Sequence, residues 1–152
     1  MASDEDAAAT AAPTRPIRVV VDDREPAETV LAALQRMPEV ETSVSRLSVG
    51  DYQVDDECLI ERKTVSDFAA SIVDGRLFRQ ARRLAGASPL CAVILEGRAS
   101  DLSGCPVSRE SLQGAMVSLS LIYRLPVLRA LMAEIQAKKL ADQPVVETKW
   151  HP

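Results

Sequence analysis

The sequence predicts an α/β domain, and three observations carry that prediction. Ile17 to Val21 and Leu90 to Leu95 are apolar runs of strand length, interrupted only by Arg18, as buried strands require. Asp51 to Val54 and Cys58 to Arg62 read as two short strands separated only by Asp55-Asp56-Glu57, a hairpin with a three-residue loop. Segments with helical spacing of apolar residues alternate with these strands instead of following them as a block. The 152 residues suffice for one domain with tails.

Met1 to Pro16 is alanine-rich with Asp4, Glu5 and Asp6, a composition that buries no face, and it is expected to be a flexible tail, with the domain proper over 17–140. Asp22-Asp23-Arg24-Glu25-Pro26 closes the first strand, either as a turn into a helix with Pro26 at its first position or as charges at a strand-end site. Ala27 to Arg36 should be a helix with Val30, Leu31 and Leu34 on its core face. Val40, Thr42 and Val44 alternate with polar residues, a half-exposed strand expected to pair beside the hairpin. Gly50 gives the backbone room at the hairpin's entrance.

In the hairpin, paired residue numbers sum to a constant, so Val54 faces Cys58 and Asp51 faces Glu61. Opposed residues share a face with Cβ atoms about 5 Å apart, where two like charges repel, so a cation is expected between them. Alternation sends Glu61 and Lys63 to one face, Ile60 and Arg62 to the other. Two carboxylates and an ammonium thus converge, an arrangement suited to a hard divalent cation beside a phosphate; Mg²⁺ is the candidate, with Mn²⁺ as a possible substitute. The competing reading makes Asp51 a turn residue and Glu61 and Lys63 an exposed charged stripe. Leu59 and Ile60 argue for burial, where unpaired charge is rare.

Thr64-Val65-Ser66-Asp67 has the form of a capping box, which opens a helix whose buried face is Phe68, Ala69 and Ile72 and which Gly75 stops. A second helix, Arg76 to Ala87, sets Arg76, Arg79, Gln80 and Arg83 within about 100° of one another, opposite Leu77, Ala81 and Leu84. Such a basic stripe is either a solvated face or a grip on DNA phosphates. Arg98 to Val107 reads as a loop, and Ser108 to Tyr123 as a helix apolar nearly all round, buried in its own core or against a second subunit. Pro126 to Leu128 adds a short strand, Leu131 to Leu140 a final helix, and 141–152 a tail.

Several classes of function drop out on composition. The single histidine, His151, removes histidine triads and histidine-ligated metals, and Cys58, Cys91 and Cys105 have neither an even count nor zinc-site spacing. No apolar run approaches membrane-spanning length and no signal peptide opens the chain, so an intracellular protein is expected, in the cytoplasm or nucleoid of a bacterium or the nucleus of a eukaryote. The net charge of −4 makes no general case for nucleic acid, but between Arg62 and Arg83 six basic residues face two acidic ones, Asp67 and Asp74.

Gly50-Asp51, a spacer, Glu61-Arg62-Lys63, three residues and Asp67 resemble the signature of the XPF-type structure-specific DNA nucleases. Ser71 to Gln80, S-I-V-D-G-R-L-F-R-Q, continues it, and Val21 to Glu25 is similar to the family's opening V-D-x-R-E element. The resemblance covers about Arg18 to Leu131. It departs near the end, where Tyr123-Arg124-Leu125-Pro126 lacks the family's usual glycine. It implies a restriction-endonuclease-like fold, with a mixed central sheet and helices on both faces. It also implies metal-dependent phosphodiester hydrolysis, with Asp51, Glu61 and Asp22 at the metal, Lys63 at the attacking water and phosphate, Asp67 nearby, and Arg62 bracing Asp22, Glu25 or Asp67. Branched DNA, a homodimer or heterodimer, and a partner protein for extra DNA grip follow from it too. The rival within the resemblance is a non-catalytic module that binds DNA or completes a heterodimer.

Overall fold

The computed structural model describes residues 15–130; both tails and the helix expected over Leu131–Leu140 lie outside them. Strand β1 (Ile17–Asp22) is flanked by β2 (Val40–Ser45), parallel to it, and β3 (Tyr52–Val54), antiparallel to it. β3 turns into antiparallel β4 (Cys58–Thr64), and β5 (Leu90–Glu96) and β6 (Val127–Ala130) add in parallel. The result is one mixed sheet in the order β2-β1-β3-β4-β5-β6.

The strand at Val40 therefore does not pair beside the hairpin, as its sequence suggests; β1 takes that place and β2 forms the edge. The continuous apolar run of β1 suits a strand paired on both sides, whereas β2 alternates with polar residues and leaves Val44 54% exposed. The segment between them also differs from a plain helix. A π-helical turn, Ala27–Leu31, leads into a single α-helical turn, α1 (Ala32–Leu34), which ends ahead of Pro38. The predicted core face survives that change: Val30, Leu31 and Leu34 join Val19, Val21 and Tyr52 on one side of the sheet.

The other side carries the larger core. Thr64 caps α2 (Val65–Val73) by accepting the Asp67 N–H at 3.0 Å, and Phe68 and Ala69 are fully buried beneath it. Gly75, with φ +66°, ends the helix; the Gly75 N–H bonds to the Ile72 carbonyl and the Arg76 N–H to that of Ser71, the paired closure of a left-handed cap. That sharp stop lets α3 (Leu77–Ala87) turn back and lay Leu77, Ala81 and Leu84 on β4 and β5. The expected loop from Arg98 includes a short 3₁₀ turn, Ala99–Leu102, with the Arg98 N–H donated to the Asp101 carboxylate at 2.7 Å.

Helix α4 (Arg109–Leu121), capped by Ser108, is less buried than its sequence suggests. Leu112, Ala115 and Leu119 enter the core, while Val117, Leu121 and Ile122 are 55%, 74% and 73% exposed. One layer of packing uses only one face of a helix, so the rest of its apolar surface stays uncovered. No described helix is long and apolar enough to cross a membrane.

Candidate active site

The hairpin has the register its sequence predicts: Val54 opposes Cys58, Gln53 Leu59 and Tyr52 Ile60. Asp55 and Asp56 take left-handed backbone conformations in the loop, which aspartate tolerates better than most residues, and Arg18 holds both carboxylates. Asp51 stands one residue before β3, just beyond the last registered pair, Tyr52 and Ile60, and its bonds to β4 fall on the residues either side of Glu61. Its N–H donates to the Ile60 carbonyl at 2.8 Å, and its Oδ2 accepts the Arg62 N–H at 2.7 Å. Gly50 makes this possible. Its φ is +78°, and a Cβ there would lie 3.2 Å from the Ile60 carbonyl oxygen.

Strand alternation then sorts the charges. Glu61 and Lys63 point toward α3, where they line a small cavity with Leu77, Gln80 and Leu84. Asp51 and Glu61 also line an adjoining cleft of about 320 Å³, with Arg24, Ser48, Gln80 and Arg83 around it. Burial pushes the Glu61 carboxyl up to about 7, with the Asp51 and Glu25 charges adding to the effect and Lys63 and Arg24 opposing it. Asp51 is also raised, by burial first, then by Glu25 and Asp22, against the pull of the Arg62 N–H and Lys63. Two carboxylates that resist ionising together mark a place short of positive charge.

This strain has a measurable consequence. A carboxyl whose folded pKa lies above its unfolded one costs nothing below pH 4, and the cost grows until it is complete above about pH 7. Glu61→Gln should therefore raise the stability of the metal-free protein at pH 8, on the order of 1–3 kcal/mol, and leave it unchanged at pH 4. Urea melts in chelator at the two pH values check this; equal shifts at both would contradict it.

Asp22 is placed differently from its two neighbours. It is 1% exposed, and its oxygens accept Arg24 Nε at 2.6 Å, Arg24 Nη2 at 3.0 Å and the Leu47 N–H at 2.7 Å. The Arg24 guanidinium holds it well below the usual carboxylate range despite burial. Asp22 thus anchors the loop that frames the cleft. Among the described residues no three or more His, Cys, Asp or Glu side chains gather as a ready-made metal cage. Both Asp22 oxygens are thus engaged within the protein, whereas Asp51 accepts the Arg62 N–H through Oδ2 and lines the cleft with Glu61.

Arg62 points to the opposite face. Its Nε meets Glu96 at 2.6 Å and its Nη1 lies 3.4 Å from Glu25, which also accepts the Tyr52 hydroxyl at 2.7 Å. Of the three partners suggested by sequence only Glu25 is among these. Glu96 was missed because only the parallel register of β4 and β5 brings it near; its signal was a lone charge closing an apolar strand. Asp67 is exposed, accepts the Thr64 hydroxyl at 2.8 Å and does not line the cleft. The basic stripe divides: Arg76 lies 3.3 Å from Asp74, Arg83 donates to the Ser48 carbonyl at 2.6 Å on the cleft rim, Arg79 is exposed, and the Gln80 amide oxygen is buried.

Residues 21–141 match the ERCC4 domain. The chain is 30% identical over 111 residues to the 3′-flap repair endonuclease Xpf of Saccharolobus solfataricus, covering 73% of this chain and 47% of that protein. It is also 33% identical over 141 residues to a putative ATP-dependent RNA helicase of Methanocaldococcus jannaschii, covering 90% of this chain but 17% of that one. Among solved structures, XPF from Aeropyrum pernix in complex with DNA is 40% identical, with a TM-score of 0.65 over 77% of this chain and 57% of that one. The chain thus spans about half or less of the relatives it matches.

Proposed function

This chain belongs to the ERCC4 domain family and has the fold of an XPF-type nuclease domain, and from that premise we propose that it is a metal-dependent DNA endonuclease acting on branched DNA. The observation that carries the proposal is the convergence of Asp51 and Glu61 on a cleft rimmed by Arg24 and Arg83, with Lys63 beside Glu61 in the small cavity that adjoins it. The donor set fits Mg²⁺, or Mn²⁺ in its place, because such ions are held by one or two carboxylates and complete their coordination with water and substrate phosphate. The raised pKa values of both acids fit it as well, since a divalent cation would offset the burial that chiefly causes them and the neighbouring negative charge that adds to it. When bound, the ion supplies Lewis acidity toward a phosphate oxygen and the attacking water.

The chain's own residues supply the rest. Asp51 and Glu61 fix the position of positive charge, and the Arg62 N–H keeps the Asp51 carboxylate aimed into the cleft. The Lys63 ammonium offsets negative charge as it builds on the phosphate and helps orient the water. Arg83 and Arg24 hold flanking phosphates at the rim, with Arg79 exposed on the same helix as Arg83. The uncovered apolar surface of Val117, Leu121 and Ile122 supports pairing with a second subunit, the same chain or a relative of it.

The test uses end-labelled forked, flapped and plain duplex DNA, with Mg²⁺ or with chelator. We expect cutting of the branched substrates with metal only, and a fall of about 10² to 10³ in rate for Lys63→Ala. DNA bound but uncut by the wild-type chain would instead establish a non-catalytic module.

A further inference from the structure

We propose that Gln80 is a positioning residue of this site, which fixes Lys63 and Glu61 through one internal water and is not a contact to DNA phosphate. Its catalytic consequence rests on the endonuclease reading; its geometry does not. Gln80 belongs to the side of α3 that packs on β4, beside Leu77, Ala81 and Leu84. Its Oε1 is shielded from solvent, and no donor among the described residues reaches it. A buried amide oxygen is seldom left unpaired, so its hydrogen bond must come from outside the described residues.

The surroundings specify that donor. Gln80, Glu61 and Lys63 line a cavity of about 20 Å³ whose other walls are apolar, Leu77, Leu84, Val93 and Leu119 among them. That volume holds one water and little else. A water that accepts from the Lys63 ammonium and donates to Glu61 and to Gln80 Oε1 makes three hydrogen bonds, the usual number for a buried water. Gln80 also lines the cleft beside Asp51 and Arg83, so its side chain spans the wall between cleft and cavity. A neutral amide sets the direction of that hydrogen bond without adding charge beside two crowded carboxylates.

The test joins a high-resolution crystal structure of the wild-type protein with kinetics of Gln80→Met, which keeps the length of the side chain and removes the amide. We expect an ordered water on Gln80 Oε1 that also touches Lys63 or Glu61. In Gln80→Met we expect kcat to fall about 10-fold or more, as when the support of a metal site's ligands is lost. The Kd for forked DNA and its salt dependence should be unchanged. A wild-type crystal with no water there would overturn the proposal. So would an unchanged kcat in Gln80→Met with weaker DNA binding and a shallower salt slope, the signature of a phosphate contact. If the wild-type protein cuts no DNA, the endonuclease reading fails by itself, and the crystal structure still decides the water.

Discussion

Asp51→Asn is expected to lose about three orders of magnitude or more in DNA cleavage while the metal-free protein melts at or above the wild-type temperature. The first half follows from charge. Asn removes one of the two anions proposed to hold the cation, and a metal's stabilisation of the transition state is worth several kcal/mol, each 1.4 kcal/mol being about tenfold in rate. The second half follows from the hydrogen bond that Asp51 Oδ2 accepts from the Arg62 N–H at 2.7 Å. Asn keeps an oxygen for that bond and removes the repulsion with Glu61, which Asp51 itself helps to raise. Asp51→Ala removes the repulsion and the bond together, and an unpaired backbone donor costs about 1–3 kcal/mol, so it should melt below Asp51→Asn. Thermal melts in chelator and single-turnover cleavage in Mg²⁺ measure both halves. An Asn variant that melts far below wild type would make the carboxylate structural, and one that still cuts would remove it from the metal.

Arg62→Met is expected to give the largest loss of stability among the residues of the signature, about 3–5 kcal/mol, and a fall in Tm of about 10 °C or more. Arg62, Glu25 and Glu96 have side chains 17%, 15% and 13% exposed, and the arginine lies between the two acids. Removing it leaves two buried carboxylates without their cation. Since Arg62 faces away from Glu61 and Lys63, its effect on cleavage should be one of folded population. Arg62→Met combined with Glu96→Gln should recover part of the loss, because the second change removes one stranded charge. A Tm within two degrees of wild type for the single variant would contradict this placement.

The chemistry-bearing stretch was the most legible part of the sequence, because hairpin register and strand alternation are local rules. From them follow the pairing of Val54 with Cys58, the shared side of Glu61 and Lys63, and the opposite aim of Arg62. Capping chemistry was local too, and Thr64 and Gly75 bound their helix as their residue types suggest. What depended on non-local packing was not legible. The edge position of β2, the approach of Glu96 to Arg62 and the inward turn of Gln80 each follow from how distant segments stack. Asp22 shows the same limit in another way. Sequence puts an acid at a strand end, but only the fold gives it to Arg24 and Leu47.

Mn²⁺ titration followed by electron paramagnetic resonance asks most directly whether Asp51 and Glu61 hold a divalent cation as a pair. Glu61 must give up its proton to bind, so affinity should rise as pH increases through about 7. We expect one Mn²⁺ per chain at pH 8, displaced by Mg²⁺, with binding weakened at least about 10-fold in Asp51→Asn and in Glu61→Gln. Binding that is equally tight in both variants, or absent from the wild-type protein at pH 8, would contradict the site.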